Sequence, residues 1–196
     1  MDVKEAVLGR RSIRKYKAQA VNEQDVCDIL EAAIYAPSGV NMQPWYFVAI
    51  CSQNAMERLK ILMEKTYENF LPTLHTRFAK NPEVIEQTKY FLSNLGGAPV
   101  CVLAFLLKHP DADPLYKETF THAQGISAGI ENMLLVAFEK GLGSCWMTAP
   151  IVAGLGEDIR KEFAPDHGQL VAAITIGYPD ESPKTPPRRE GRYIII

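Results

Sequence analysis

The amino-acid sequence predicts a mixed α+β fold built as one domain over residues 1–196, and three observations predict it. The chain has 196 residues, the length of an ordinary domain with a single core. It contains two strand-length apolar runs, 98–107 and 169–176, dense enough to be buried on both faces of a sheet. Around them lie stretches with the period of amphipathic helices, clearest over 22–36 and 119–140.

Composition narrows the class further. Hydrophobic residues make up 47% of the chain and charged residues 22%, the balance of an ordered globular protein rather than of a disordered one. A formal charge of -2 gives no bulk attraction for a polyanion, so neither nucleic acid nor an anionic membrane is an expected partner. The first residues, MDVKEAVLGRRSIRKY, contain no apolar run of signal-peptide length, and no later run reaches ~18 apolar residues. A soluble cytoplasmic protein is expected.

The elements follow in order. Val3 to Gly9 fits a short helix. Asn22 can cap a second helix with Asp25 three residues on, and Val26, Ile29, Leu30 and Ala33 recur at i, i+3, i+4 and i+7. Pro37 disfavours helical backbone at Ala36 and ends it. Residues 37–44, PSGVNMQP, read as a loop, and 46–51 as a buried strand. From 54 to 96 the pattern is helical but irregular, with Pro72 and Pro82 expected to cut it into pieces.

The run 98–107 has Pro99 at its start, where a strand tolerates it, and should be central in the sheet. A long helix over 119–140 carries an apolar stripe of Ile126, Ile130, Met133, Leu134 and Ala137. Small residues at 125 and 127–129 permit close packing, and Gly141 stops the helix. Residues 144–147 suit a short strand, 152–163 a further helix, and 169–176 a second buried strand ending at Gly177-Tyr178-Pro179. A Pro-rich connector over 183–187 leads to Tyr193-Ile194-Ile195-Ile196. Four apolar residues after an extended spacer need a docking place, and strand exchange with a second copy of the chain would supply one.

Metal chemistry has no support in the spacing. Cys27, Cys51, Cys101 and Cys145 are scattered without a C-x-x-C pair and read as reduced, mostly buried thiols. His75, His109, His122 and His167 lie far apart.

The strongest local signal is Arg10-Arg11-Ser12-Ile13-Arg14, because guanidinium forks and a hydroxyl donor match the acceptor oxygens of a phosphate. A solvated basic helix end would look the same. Arg188-Arg189 form a second basic pair that could converge on the same anion. Pro37, Ser38, Gly39 and Asn41 offer close backbone approach, a hydroxyl and an amide, the groups that hydrogen-bond a planar polar ring edge; an ordinary turn would also use them. The glycines of GLGSCW at 141–146 mark a helix stop and a tight backbone passage.

Taken together, RRSIRKY at 10–16, APSGVNMQPWYF at 36–47, GLGSCW at 141–146 and IGYPDESPKTPPRR at 176–189 resemble, in order and spacing, the FMN-dependent nitroreductase family along nearly the whole chain. The match is thinnest over 54–96. The resemblance implies an α/β sandwich with a mostly antiparallel sheet, an intertwined homodimer with C-terminal strand exchange, and FMN pockets at the subunit interface.

It also implies site roles. Arg10, Arg11, Ser12 and Arg14 would hold the phosphate and ribityl chain, with Arg188 and, less directly, Arg189 reaching the phosphate. Pro37, Ser38, Gly39 and Asn41 would come from the opposite subunit to the flavin ring, and Trp146, Met147 and Thr148 would line its other side. The implied activity is ping-pong hydride transfer from NADH or NADPH to FMN and then to a small acceptor such as a nitroaromatic or quinone. No acid–base dyad is required, and Arg14 is the candidate electrostatic group. A reductive dehalogenase, an oxygen-using flavin enzyme, and a flavin sensor or storage protein without turnover are the alternatives. Tyr67, Phe70, His75, Phe78, Tyr90 and Phe91, with Phe120 and His122, are candidates to wall an acceptor pocket or simply to fill a core. No G-x-G-x-x-G follows a strand, so a nicotinamide would bind without a Rossmann-type site.

Overall fold

The computed structural model describes residues 1–107 and 119–196. Among them, α1 (Val3–Gly9), α2 (Glu23–Ile34), β1 (Trp45–Ile50), α3 (Gln53–Arg77), α4 (Pro82–Asn94), β2 (Val100–Leu106), α5 (Thr119–Glu139), β3 (Gly143–Met147), α6 (Ala149–Val152), α7 (Gly156–Phe163) and β4 (Leu170–Gly177) follow one another along the chain. The four strands form one antiparallel sheet in the order β1-β2-β4-β3. The α+β class is as the sequence predicts, and the antiparallel sheet is as the family resemblance implies. No helix among the described residues is long and apolar enough to cross a membrane.

The two apolar runs are the two central strands, and β2 is buried along its whole length because helices cover both faces of the sheet. Side chains alternate between the faces. Val100, Val102 and Ala104 of β2, with Ala172, Ile174 and Ile176 of β4, meet Val26, Ile29 and Ala33 of α2 and Ile126, Ile130 and Met133 of α5. Cys101, Leu103 and Phe105, with Leu170 and Ala173, face Leu59 and Met63 of α3, Phe91 and Leu92 of α4 and Ile159 of α7.

On the first face, α2 and α5 approach closely because residue 129 is glycine: a Cβ there would lie 2.8 Å from the carbonyl oxygen of Ala33. Lys140 closes the far end of that contact with ion pairs to Asp25 at 2.8 Å and Asp28 at 2.5 Å.

Two helices depart from expectation. Pro72 sits inside α3 and does not break it. It lies on the exposed side, where a carbonyl that a proline leaves unpaired costs least. Pro82 starts α4 at its first position, where a missing N–H costs nothing. The helix expected over 152–163 is two pieces, α6 and α7, parted at Gly154, whose φ of +81° is left-handed. Asn22 caps α2 by accepting from the Gln24 amide, with no reciprocal bond from Asp25. Of the four cysteines, Cys101 and Cys145 are buried, but Cys27 and Cys51 are exposed, which corrects the expectation of mostly buried thiols. His109 lies outside the described residues.

Both sheet edges matter. The β3 edge is covered by the arginine motif itself, which bridges at Ser12–Ser144 with the Ile13 amide donating to the Ser144 carbonyl at 2.9 Å. At the other edge is β1, where Tyr46 stacks on His167 with ring centres 3.6 Å apart. Tyr193, Ile194, Ile195 and Ile196 are exposed in the single chain.

Candidate active site

The segment 10–17 is held by backbone bonds at three places. Besides the bond to β3, the Tyr16 amide donates to Gly96 at 3.0 Å, and the Lys17 amide to Tyr178 at 2.9 Å. Tyr16 is buried, with its hydroxyl donating to the Ile13 carbonyl at 2.6 Å and meeting the Thr175 hydroxyl at 2.8 Å; burial raises its pKa well above the ordinary phenol range. Gly96 is required here. Its φ is +65°, and a Cβ would fall 2.1 Å from the carbonyl oxygen of Arg14.

So anchored, the motif runs between two cavities. The smaller, about 220 Å³, is bordered by Arg10 and Arg11, the start of β3 and the 181–183 segment. The larger, about 590 Å³, opens between α3, α4 and the end of β3, with Arg14, Trp146, Met147 and Thr148 among its borders. The structure thus brings together in one cavity four of the residues expected at the site.

The cations are not equivalent. Arg10 pairs with Glu131 of α5 through Nε at 3.1 Å. Arg11 donates to the Leu8 carbonyl at 2.7 Å and the Arg10 carbonyl at 2.6 Å, and also meets the Thr185 hydroxyl. Arg14 has no carboxylate within ion-pair reach among the described residues; its guanidinium stands over the Phe91 ring, 5.9 Å from the centre, while its amide donates to Glu181. Its charge is felt at Cys145: burial pushes that thiol's pKa up, and Arg14 pulls it partly back.

Other expected residues lie elsewhere. Pro37, Ser38, Gly39 and Asn41 border neither cavity; they lie beside α5, with Ser38 and Pro37 against Gly125. Their loop is strained, with left-handed φ at Val40 (45°), Asn41 (56°) and Gln43 (48°), and Val40 is β-branched. The Ser38 hydroxyl holds the turn by accepting from the Gln43 amide at 3.0 Å. At Gly39 a Cβ would meet nothing within 4 Å, so this chain's own packing does not call for glycine there. Arg188 and Arg189 remain on the exposed connector, where Arg188 donates to the Pro186 carbonyl at 3.4 Å; among the described residues neither is hydrogen-bonded to 10–14.

The large cavity's outer wall was only half visible from sequence. Phe70, Phe78 and Phe91 border it, whereas Tyr90 and His75 are exposed, Tyr67 packs on the core, and the side chain of Phe120 lies outside what is described. Thr73, Arg77, Gln87 and Thr88 also border it, beyond the residues the sequence singles out. A signal existed: 70, 73, 74 and 77 on α3, and 84, 87, 88 and 91 on α4, each follow the i, i+3, i+4, i+7 rule. Reading Pro72 as a helix break hid the first stripe.

The family model described as Nitroreductase family matches residues 7–178. The chain belongs to the Nitroreductase family. A nitroreductase-family relative, the Bacillus subtilis (strain 168) protein YfhC, assigned by name to the NAD(P)H nitroreductases, is 29% identical over 95% of this chain and 89% of its own length. The iodotyrosine deiodinase of Thermotoga neapolitana is 27% identical over 92% of this chain and 90% of its own length. Among solved structures, a protein of Desulfovibrio desulfuricans described as a nitroreductase in complex with FMN superposes with a TM-score of 0.71. It is 27% identical and covers all of this chain and 96% of its own.

Proposed function

We propose that the whole chain acts as one FMN-binding unit, an oxidoreductase that passes electrons from NADH or NADPH to a small planar acceptor. The observation that carries the proposal is the large cavity, with Arg14 at its border without a carboxylate partner, in a chain of the Nitroreductase family. Its aromatic walls and cationic border fit a flat ring system that becomes anionic on reduction. FMN, when bound, supplies the two-electron chemistry.

The protein's part is to hold, orient and keep dry. Arg10, Arg11 and Ser12 would hold the phosphate, helped by Arg188 and Arg189 when the connector is in place. Arg14 would stand at the pyrimidine end and favour negative charge there. The backbone of Trp146, Met147 and Thr148 would support the ring, and Phe70, Phe78 and Phe91 would exclude water. Donor and acceptor would use the same cavity in turn, which makes the order ping-pong.

A homodimer completes the reading. The strained 37–41 loop, with a glycine that its own chain does not explain, would meet the ring bound by a second copy. The exposed 193–196 tail would pair with the second copy's sheet. A cytoplasmic location goes with this assignment.

The test is the absorbance spectrum of the purified protein, before and after added FMN, followed by anaerobic NADH and NADPH and by sedimentation. Stoichiometric flavin that bleaches with a nicotinamide, in a dimer, is expected. A colourless monomer that takes up no FMN would end the proposal. The deiodinase relative favours a second reading, reductive dehalogenation, which release of halide from a halophenol under the same conditions would establish.

A further inference from the structure

The large cavity holds a second cation that the flavin reading does not use. Arg77 lies in the last turn of α3 and borders the cavity beside Phe78, with its guanidinium over that ring at 5.9 Å from the centre. This repeats, on the helical wall, what Arg14 does over Phe91 near the sheet. Among the described residues Arg77, like Arg14, has no carboxylate within ion-pair reach, and none of those that border the cavity is an aspartate or glutamate.

A surface arginine set only to complement a helix C-terminus has no need of such surroundings. Here the neighbouring hydrogen-bonding side chains, Thr73, Gln87 and Thr88, are neutral. The Glu181 carboxylate accepts from the Arg14 amide, so among the described residues it is Arg77 that stands on an aromatic-walled cleft with no acidic partner, and a ligand with an anionic group there would balance its charge. If Arg14 faces the flavin, Arg77 is left for the acceptor.

We infer that Arg77 is a specificity-determining residue that selects aromatic acceptors bearing an anionic group, such as a carboxylate. This rests on the flavin reading above. The ring of the acceptor would lie among Phe70, Phe78 and Phe91, and its anionic substituent would point outward to the α3 end. A guanidinium suits a carboxylate because its fork can donate two parallel hydrogen bonds.

The test uses FMN-loaded protein without a nicotinamide, so that no turnover occurs. 4-Nitrobenzoate and its neutral counterpart 4-nitrobenzamide are titrated while the flavin spectrum is followed. The wild type should bind the benzoate more tightly by about tenfold or more, the range of a charged hydrogen bond. This preference should weaken in salt, disappear in Arg77→Gln and largely return in Arg77→Lys. Steady-state rates should show the same split, with KM for the benzoate raised in Arg77→Gln and kcat little changed.

Equal affinity of the wild type for both compounds, or a preference that survives Arg77→Gln, would overturn the inference while leaving the flavin reading intact. So would an Arg77→Gln enzyme whose altered KM is that for NADH or NADPH rather than for the acceptor. Protein that takes up no FMN fails at the first step, which places the fault in the flavin reading itself.

Discussion

The two faces of the sheet are packed by different means. On the α2/α5 face, small and branched residues fit closely: glycine at 129 lets a helix meet its neighbour's backbone, and Ile29, Ile126 and Ile130 are fully buried. On the α3/α4 face, longer and more flexible side chains line the same strands, and near the end of β3 the layer parts to leave about 590 Å³ bordered by arginines and aromatic rings. One sheet therefore serves two purposes. Close packing on one side supplies stability that lets the other side remain open at the cavity.

Substitutions can break this contrast. The largest effect is expected where the open face is tied to its motif: Gly96→Ala forces a Cβ into the Arg14 carbonyl at a left-handed position, so a loss of more than about 4 kcal/mol is expected in denaturant unfolding. On the closed face, Ile130→Ala should cost about 2–5 kcal/mol. FMN affinity of the folded fraction should hardly move. If Ile130→Ala instead weakened FMN binding as strongly as stability, the division of labour between the faces would be wrong.

Thermal unfolding against pH gives a sharper, smaller test. Burial pushes the Cys101 thiol up to about 12, from an ordinary 9.0. The folded state therefore holds that proton after the unfolded chain has released it. Stability from this thiol is complete below about pH 9 and is lost as pH rises toward 12, by up to ~1.4 kcal/mol per pH unit, with Tyr16 adding to the slope above pH 10. Cys101→Ala should flatten the first part of this decline. Last, Phe78→Ala, at a half-buried cavity border, should cost only about 1 kcal/mol or less in stability yet raise the acceptor's KM severalfold. Equal effects of Phe78→Ala and Ile130→Ala on unfolding would erase the comparison.

The same contrast explains what could be read from the sequence. The closed face was legible because its packing is periodic: Val26, Ile29 and Ala33, then Ile126, Ile130 and Met133, repeat at helical spacing, and β2 and β4 are continuous apolar runs. The arginine motif stood out as a candidate because three guanidiniums around one hydroxyl match an anion, a role that FMN titration would test. Arg77, Thr73 and Gln87 did not, since polar residues on an open wall look like any solvated helix face, and only the tertiary placement of α3 against α4 distinguishes them. Pro72 misled for a related reason. A proline's cost depends on whether the carbonyl it leaves unpaired can reach water, which sequence does not state.

The stitching of residues 10–17 has a consequence for how the protein is made. These residues are made before their backbone partners Gly96, Ser144 and Tyr178, and the Asp180 amide donates back to Lys15 at 2.9 Å. Closing loops of that length is entropically costly and slow compared with forming a helix. The arginine motif must therefore wait, unplaced, until β4 has been synthesised and has joined the sheet. A segment made before its partners is thus set only after they exist, once synthesis has passed residue 180.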